Sequence, residues 1–222
     1  MTGARLALAL SAVALTSQAA VDPGAATAPR MEFVAPAPGS YTLQRIQPVR
    51  DAILLSPAGT PLHLAGLTSR KITLLTFFYT YCADPLGCPF AYTTLTGLRD
   101  RLLAEPALAG RVRFVSVSFD PTTDTPQAIG WYGQQVAGDP RFEWQFLTAR
   151  SVRELMPVLD DFGQDVSVET DAEGHATRTR HHMLKLFLID ESGEVREIYT
   201  LAFLQPQVMF NDIKTLAMES AR

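Results

Sequence analysis

The chain has two cysteines, Cys82 and Cys88, both in the stretch "FFYTYCADPLGCPF" (77–90). Thiols placed this close can form a structural disulfide, exchange disulfides with another protein, or bind a soft metal ion as thiolates. A short-loop bridge constrains the unfolded chain only slightly, so a structural disulfide would add little to a domain of this size. The usual exchange motif separates its cysteines by two residues, which sets the second thiol one helical turn from the first. Here five residues, "ADPLG", intervene, and a loop containing Pro85 and Gly87 can either close a bridge or spread two thiolates around an ion. Two thiolates need a third ligand to make a metal site, and the sequence offers four histidines. His63 in "PLHLAG" and His175 in "AEGHAT" read as surface residues. His181 and His182 stand at the entry to "LKLFLID" (184–190), where strand alternation lets at most one of them face the cysteines. Spacing alone leaves disulfide exchange and metal binding both open.

The elements around the cysteines bear on their ionisation. "ITLLTFFYT" (72–80) is a continuous apolar run of strand length, as in a strand buried on both faces. Pro89 and the leucines at 95, 98, 102 and 103 predict a helix over 90–104, with the proline in its first turn. Both thiols therefore sit where a loop meets a helix N-terminus, and unpaired N–H groups there favour the thiolate. "RVRFVSVSFD" (111–120) is a second buried-type strand, and "DTPQAIGWYGQQVA" (124–137) predicts a helix capped by Asp124 or Thr125. "FEWQFLTA" (142–149) reads as a strand, and "SVRELMPVLDDFG" (151–163) as a helix capped by Ser151 and ended by Gly163. "LKLFLID", the turn "ESGE" and "VREIYTL" predict a terminal hairpin, followed by an amphipathic helix in "PQVMFNDIKTLAMES" (206–220). A further hairpin is predicted in "AILLSPAGTPLHLAGL" (52–67). Alternating strands and helices closed by a hairpin give an α/β fold with a mixed central sheet.

A length of 222 residues, 47% of them hydrophobic, suits one well-cored domain. The formal charge of -4, with no basic run longer than "RTR", argues against nucleic acid as a partner. Residues 1–19 carry Arg5, an apolar run from Leu6 to Leu15 and small residues at Ser17 and Ala19, the order of a secretory signal. Cleavage is preferred over an uncleaved membrane anchor because the run is about half the ~20 residues a spanning helix needs. No cysteine follows the apolar run, which disfavours a lipid anchor. Residues 20–40 are rich in Pro and Ala and read as a linker, leaving 41–222 as the folded domain. Gly-rich phosphate loops, GxSxG and HExxH are absent from the chain.

Three segments together resemble the Sco/SenC family, thioredoxin-like copper proteins of cytochrome c oxidase assembly. "TFFYTYCADPLGCPF" resembles the family's strand-to-cysteine loop, "SVSFDPTTDTP" (116–126) its strand ending in Asp-Pro before Asp-Thr-Pro, and "HMLKLFLIDESGEV" (182–195) its His-strand-hairpin. The resemblance implies a thioredoxin-like domain and a metal site of Cys82, Cys88 and His182, the histidine lying eight residues before Asp190. It also implies copper as Cu(I) or Cu(II), and a metallochaperone exported to the periplasm. Its partners would be a copper-enzyme subunit such as one of cytochrome c oxidase, other copper carriers, or thiol reductants. The common family loop has three residues between its cysteines, and this chain has five. Two thiolates and an imidazole make a soft, low-coordinate set suited to Cu(I), although zinc can use the same ligands with an open fourth position. Asp120 and Asp124 are read either as groups supporting the site or as plain strand and helix termini. The alternative function is a thioredoxin-type thiol–disulfide oxidoreductase, with Cys82 attacking and Cys88 resolving.

Overall fold

The computed structural model describes residues 32–220. The expected signal, 1–19, lies outside them. In chain order the elements are β1 (Gln47–Pro48), β2 (Ile53–Leu55), β3 (Pro61–His63), α1 (Leu64–Leu67), β4 (Ile72–Phe78), α2 (Cys88–Leu103), α3 (Pro106–Ala109) and β5 (Val112–Ser118). They continue with α4 (Pro126–Ala137), β6 (Glu143–Leu147), α5 (Val152–Asp161), β7 (Val166–Thr170), β8 (Ala176–His182), β9 (Lys185–Ile189), β10 (Glu194–Thr200) and α6 (Pro206–Glu219).

Six strands form the central sheet in the order β1-β10-β9-β4-β5-β6. β4, β5 and β6 run parallel, whereas β9 lies antiparallel to β4 and to β10. The cysteine-bearing strand β4 is thus central, and all seven of its residues are buried, as are all seven of β5. That burial is why β4 reads as a largely apolar run, while β5 is buried along its whole length even though Arg113, Ser116 and Ser118 interrupt its apolar residues. The Asp190–Gly193 turn joins β9 to β10, with Gly193 at φ +87°, a conformation that favours glycine. The predicted early hairpin is present as β2 and β3, and it meets the end of β6 through a Leu55–Thr148 bridge.

Two features depart from the sequence reading. Helix α2 begins at Cys88 itself, so that thiol belongs to the first turn and not to the loop before it. Residues 166–182 form a separate two-stranded hairpin, β7–β8, where no element was predicted. His181 and His182 therefore end β8 instead of opening β9. Part of the stretch read as linker is also held in place: Asn211 Nδ2 donates to the Pro36 carbonyl at 2.7 Å and the Gly39 N–H to Thr215 Oγ1 at 3.0 Å, both on α6.

Candidate metal centre

At the end of β4 the chain makes two consecutive turns. The Cys82 N–H donates to the Tyr79 carbonyl at 3.3 Å, and the Gly87 N–H to the Asp84 carbonyl at 2.9 Å. The Asp84 carboxylate also accepts from the Leu86 N–H at 2.9 Å, which closes the second turn with a side chain. Gly87 then precedes α2, and a Cβ there would lie 3.1 Å from Cys82 Sγ and 3.3 Å from the Asp84 carbonyl. The absence of a side chain at this position lets the Cys82 sulfur fold back toward the first turn of α2. The five residues between the cysteines are thus taken up in turns, and the thiols stay together.

The third group arrives from the β7–β8 hairpin. His182, the last residue of β8, brings Nε2 to 4.0 Å from Cys88 Sγ. Its ring packs on Phe119 at 4.7 Å and edge-on to Tyr79 at 6.2 Å between centroids. One ligand atom from each of Cys82, Cys88 and His182 lies within 4.8 Å of the others. An ion with bonds of about 2.3 Å to sulfur and about 2.0 Å to nitrogen holds opposite donors roughly 4 Å apart, so small side-chain rotations suffice to close the set. A cavity of about 620 Å³, lined by Tyr81, Cys82, Asp84, Gly87, His182 and Met183, opens onto Cys82 and His182, while Cys88 stays buried behind them.

The two thiols ionise very differently. The hydrogen bond from the Cys88 side chain holds the Cys82 thiol down to about 4, with burial opposing and His182 assisting. The same hydrogen bond, burial, and the neighbouring negative charge push Cys88 far up. The pair thus rests as one thiolate and one thiol. A cation bound by both sulfurs would have to displace the Cys88 proton.

The remaining candidates fall as their chemistry dictates. His181 faces away, exposed, 3.9 Å from Glu169; alternation along β8 separates it from its neighbour. His63 pairs with Asp51 at 2.6 Å and His175 with Asp171 at 3.4 Å, both on the surface. Asp124 does not cap α4, a role taken by Thr125, whose side chain accepts from the Ala128 N–H. Asp124 is buried and accepts from the Thr80 N–H at 3.0 Å, the Thr80 hydroxyl, and the Ser118 hydroxyl at 2.5 Å. It thereby ties the end of β4, two residues before Cys82, to the end of β5. Asp120 is also buried and pairs with Arg180 of β8 at 3.0 Å.

Tyr79, Phe119 and Arg180 were not singled out from the sequence. A signal for the hairpin that carries Arg180 was present, in the "ATRTR" alternation after the "DAEG" turn.

The model of the SCO1/SenC family matches residues 57–218, and the chain belongs to that family. No curated protein matches it. Among solved structures, it is similar to a SCO1/SenC family lipoprotein from Bacillus anthracis str. Ames, with 24% identity, TM-score 0.63, and coverage of 77% of this chain and 95% of that one. A copper-bound ScoI from Bradyrhizobium japonicum matches with 22% identity, TM-score 0.60, and coverage of 74% and 96%. BsSco, described as having a disulfide switch and as a member of the Sco family of cytochrome c oxidase assembly proteins, matches with 21% identity, TM-score 0.60, and coverage of 80% and 98%. The fold is accordingly thioredoxin-like, a mixed central sheet flanked by helices.

Proposed function

We infer that the protein is an exported copper-binding accessory protein. Its domain, residues 41–222, receives a copper ion on Cys82, Cys88 and His182, and delivers it to, or reduces cysteines at, a copper centre of a respiratory enzyme such as cytochrome c oxidase. The observation that carries this reading is the convergence of two sulfurs and an imidazole within 4.8 Å in a member of this family. The set is soft and low-coordinate, which suits Cu(I), and one of its sulfurs is already a thiolate. A family member with a similar fold has been seen with copper bound. Copper is cargo in this scheme: it arrives from a carrier and leaves to a recipient. Export is supported by the signal-like order of residues 1–19, and among the described residues no helix is long and apolar enough to cross a membrane.

Titration of the reduced protein with copper should saturate near one equivalent and, with Cu(II), give thiolate-to-metal charge-transfer absorption. Unchanged affinity and spectrum in His182→Ala would show the ligand set to be wrong.

The split ionisation of the thiols favours thiol–disulfide exchange as a second reading. The Cys82 thiolate attacks a partner disulfide and expels one partner sulfur as a thiolate. Cys88, losing its proton, then attacks Cys82 in the mixed disulfide and releases the second. The partner gains two electrons and this chain becomes the Cys82–Cys88 disulfide. Disulfide reduction that survives His182→Ala but not Cys82→Ser would favour exchange over copper delivery.

A further inference from the structure

His182 reaches the cysteines from an element that the central sheet does not hold. Strands β7 and β8 pair only with each other among the described residues. The chain tethers His182 to the sheet on one side, since β9 begins three residues later, and side-chain attachments of the hairpin set its position on the other. Residues 178, 180 and 182 share one face of β8, and each makes a contact toward the site. The Arg178 guanidinium lies 4.7 Å over the ring of Tyr81, next to Cys82. Arg180 donates from Nη2 to Asp120 Oδ2 at 3.0 Å and from Nη1 to the Thr177 carbonyl at 2.9 Å. Its backbone N–H reaches the Tyr79 hydroxyl at 3.4 Å. The base of the hairpin is closed by Gln164 Nε2, which donates to the Met183 carbonyl at 3.0 Å.

The Arg180–Asp120 pair differs from the other attachments in burial. The two side chains are 13% and 5% exposed, and Asp120 Oδ1 also accepts from the Thr122 hydroxyl at 2.5 Å. The Tyr81 contact, in contrast, is to a ring that is half exposed. A nearly dry ion pair is directional and resists exchange with water, and breaking it by removing one partner leaves an uncompensated charge. Asp120 stands just past β5, immediately after Phe119, whose ring packs on His182. The pair thus joins the hairpin to the sheet two residues from the ligand on one side and one residue from its packing partner on the other.

We propose that Arg180 is a positioning residue for the metal centre: paired with Asp120, it latches the β7–β8 hairpin to the end of β5 and so holds His182 in ligating reach of Cys82 and Cys88. This rests on the ligand set inferred above. With the latch intact, imidazole and thiolates meet without the cost of ordering a free hairpin. With it broken, the thiolates remain but the third ligand must be found anew. Groups that orient a metal ligand commonly change affinity about 10- to 100-fold when removed.

The test uses the reduced full chain, with Cu(I) affinity measured by competition against a chromophoric chelator and with amide exchange followed in the metal-free protein. Arg180→Gln and Asp120→Asn should each weaken Cu(I) binding about tenfold or more. Each should also speed exchange across residues 176–182 while leaving the 112–118 strand unchanged, which serves as the control for folding. Arg180→Lys, which keeps the charge, should recover part of both effects. In a His182→Ala background, Arg180→Gln should have no further effect on affinity, because it acts through the imidazole. Equal losses with and without His182, or unchanged exchange over 176–182, would overturn the latch and leave the ligand set standing. No effect of His182→Ala on Cu(I) affinity would bring down the ligand set and the latch with it.

Discussion

Cys82 and Cys88 are the same residue type six positions apart, yet their protons behave oppositely because the hydrogen bond between them is the largest influence on each. With Cys82 held to about 4, its alkylation rate should stay nearly flat from pH 9 down to about pH 5, as followed by mass spectrometry. Cys88→Ala removes the first cause of that depression and should move the profile upward. The same shift predicts how stability depends on pH. A thiol whose folded pKa lies below its ordinary value of 9.0 adds stability above that value and loses it as pH falls through the folded one. The melting temperature of the reduced protein, compared with Cys82→Ser, should therefore decline from pH 9 toward pH 4. Above pH 9 the raised Cys88 works in the opposite sense, since unfolding frees it to ionise. On the proposed ligand set, oxidation would remove both sulfurs at once and leave the imidazole alone. Cu(I) should then bind at least ~100-fold more weakly, about 2.7 kcal/mol, than to the reduced chain. Equal affinity before and after quantitative oxidation would show that the sulfurs are not ligands.

Helix α4 packs against β6 so closely that a Cβ on Gly133 would lie 2.4 Å from the Phe146 ring. Phe146 is buried and cannot easily yield: it stacks on Trp144 at 5.5 Å and meets Phe78 edge-on at 5.8 Å. Alanine normally stabilises a helix interior by up to ~1 kcal/mol over glycine. Here overpacking should reverse that sign, and Gly133→Ala should cost roughly 1–3 kcal/mol in urea unfolding. A stabilised variant would show that α4 can slide on the sheet. Helix α5 keeps its course through Pro157 because that residue is exposed while Leu155, Val158 and Leu159 are buried. Packing of the apolar stripe outweighs one lost backbone hydrogen bond.

Across the whole molecule, Arg196 gathers parts of the chain that are far apart in sequence. It donates to Asp190 Oδ2 at 2.8 Å, to Glu219 at 2.9 Å, and to the carbonyls of Leu43 and Gln44 at 2.6 and 3.1 Å. It thus joins the β9–β10 turn, the entry to β1 and the end of α6. The guanidinium is only 6% exposed, so Arg196→Ala would leave Asp190 with a buried, less compensated charge. We expect a loss of about 3–5 kcal/mol, seen as one cooperative shift in thermal unfolding, with copper stoichiometry unchanged. A change in stoichiometry without a change in melting would place Arg196 in the site instead.

Much of this arrangement is legible along the chain because burial leaves a local imprint. Residues 72–80 form a largely apolar run since both faces of β4 are covered, the valines and Phe114 mark β5 as buried despite Arg113, Ser116 and Ser118, and the proline and leucine pattern after Cys88 marks α2. Period-2 alternation also limits the histidine pair to one ligand. What the sequence did not disclose lies in surfaces that meet from distant positions. The β7–β8 hairpin is mostly polar and exposed, so it carries no core signal. Asp120 and Arg180 are sixty residues apart, Asp124 and Thr80 forty-four. Local periodicity reports whether a side chain is buried, and it cannot report against what. Only the packing of β8 across the ends of β4 and β5 decided that His182 meets the cysteines, because long-range pairing depends on how whole elements fill space together.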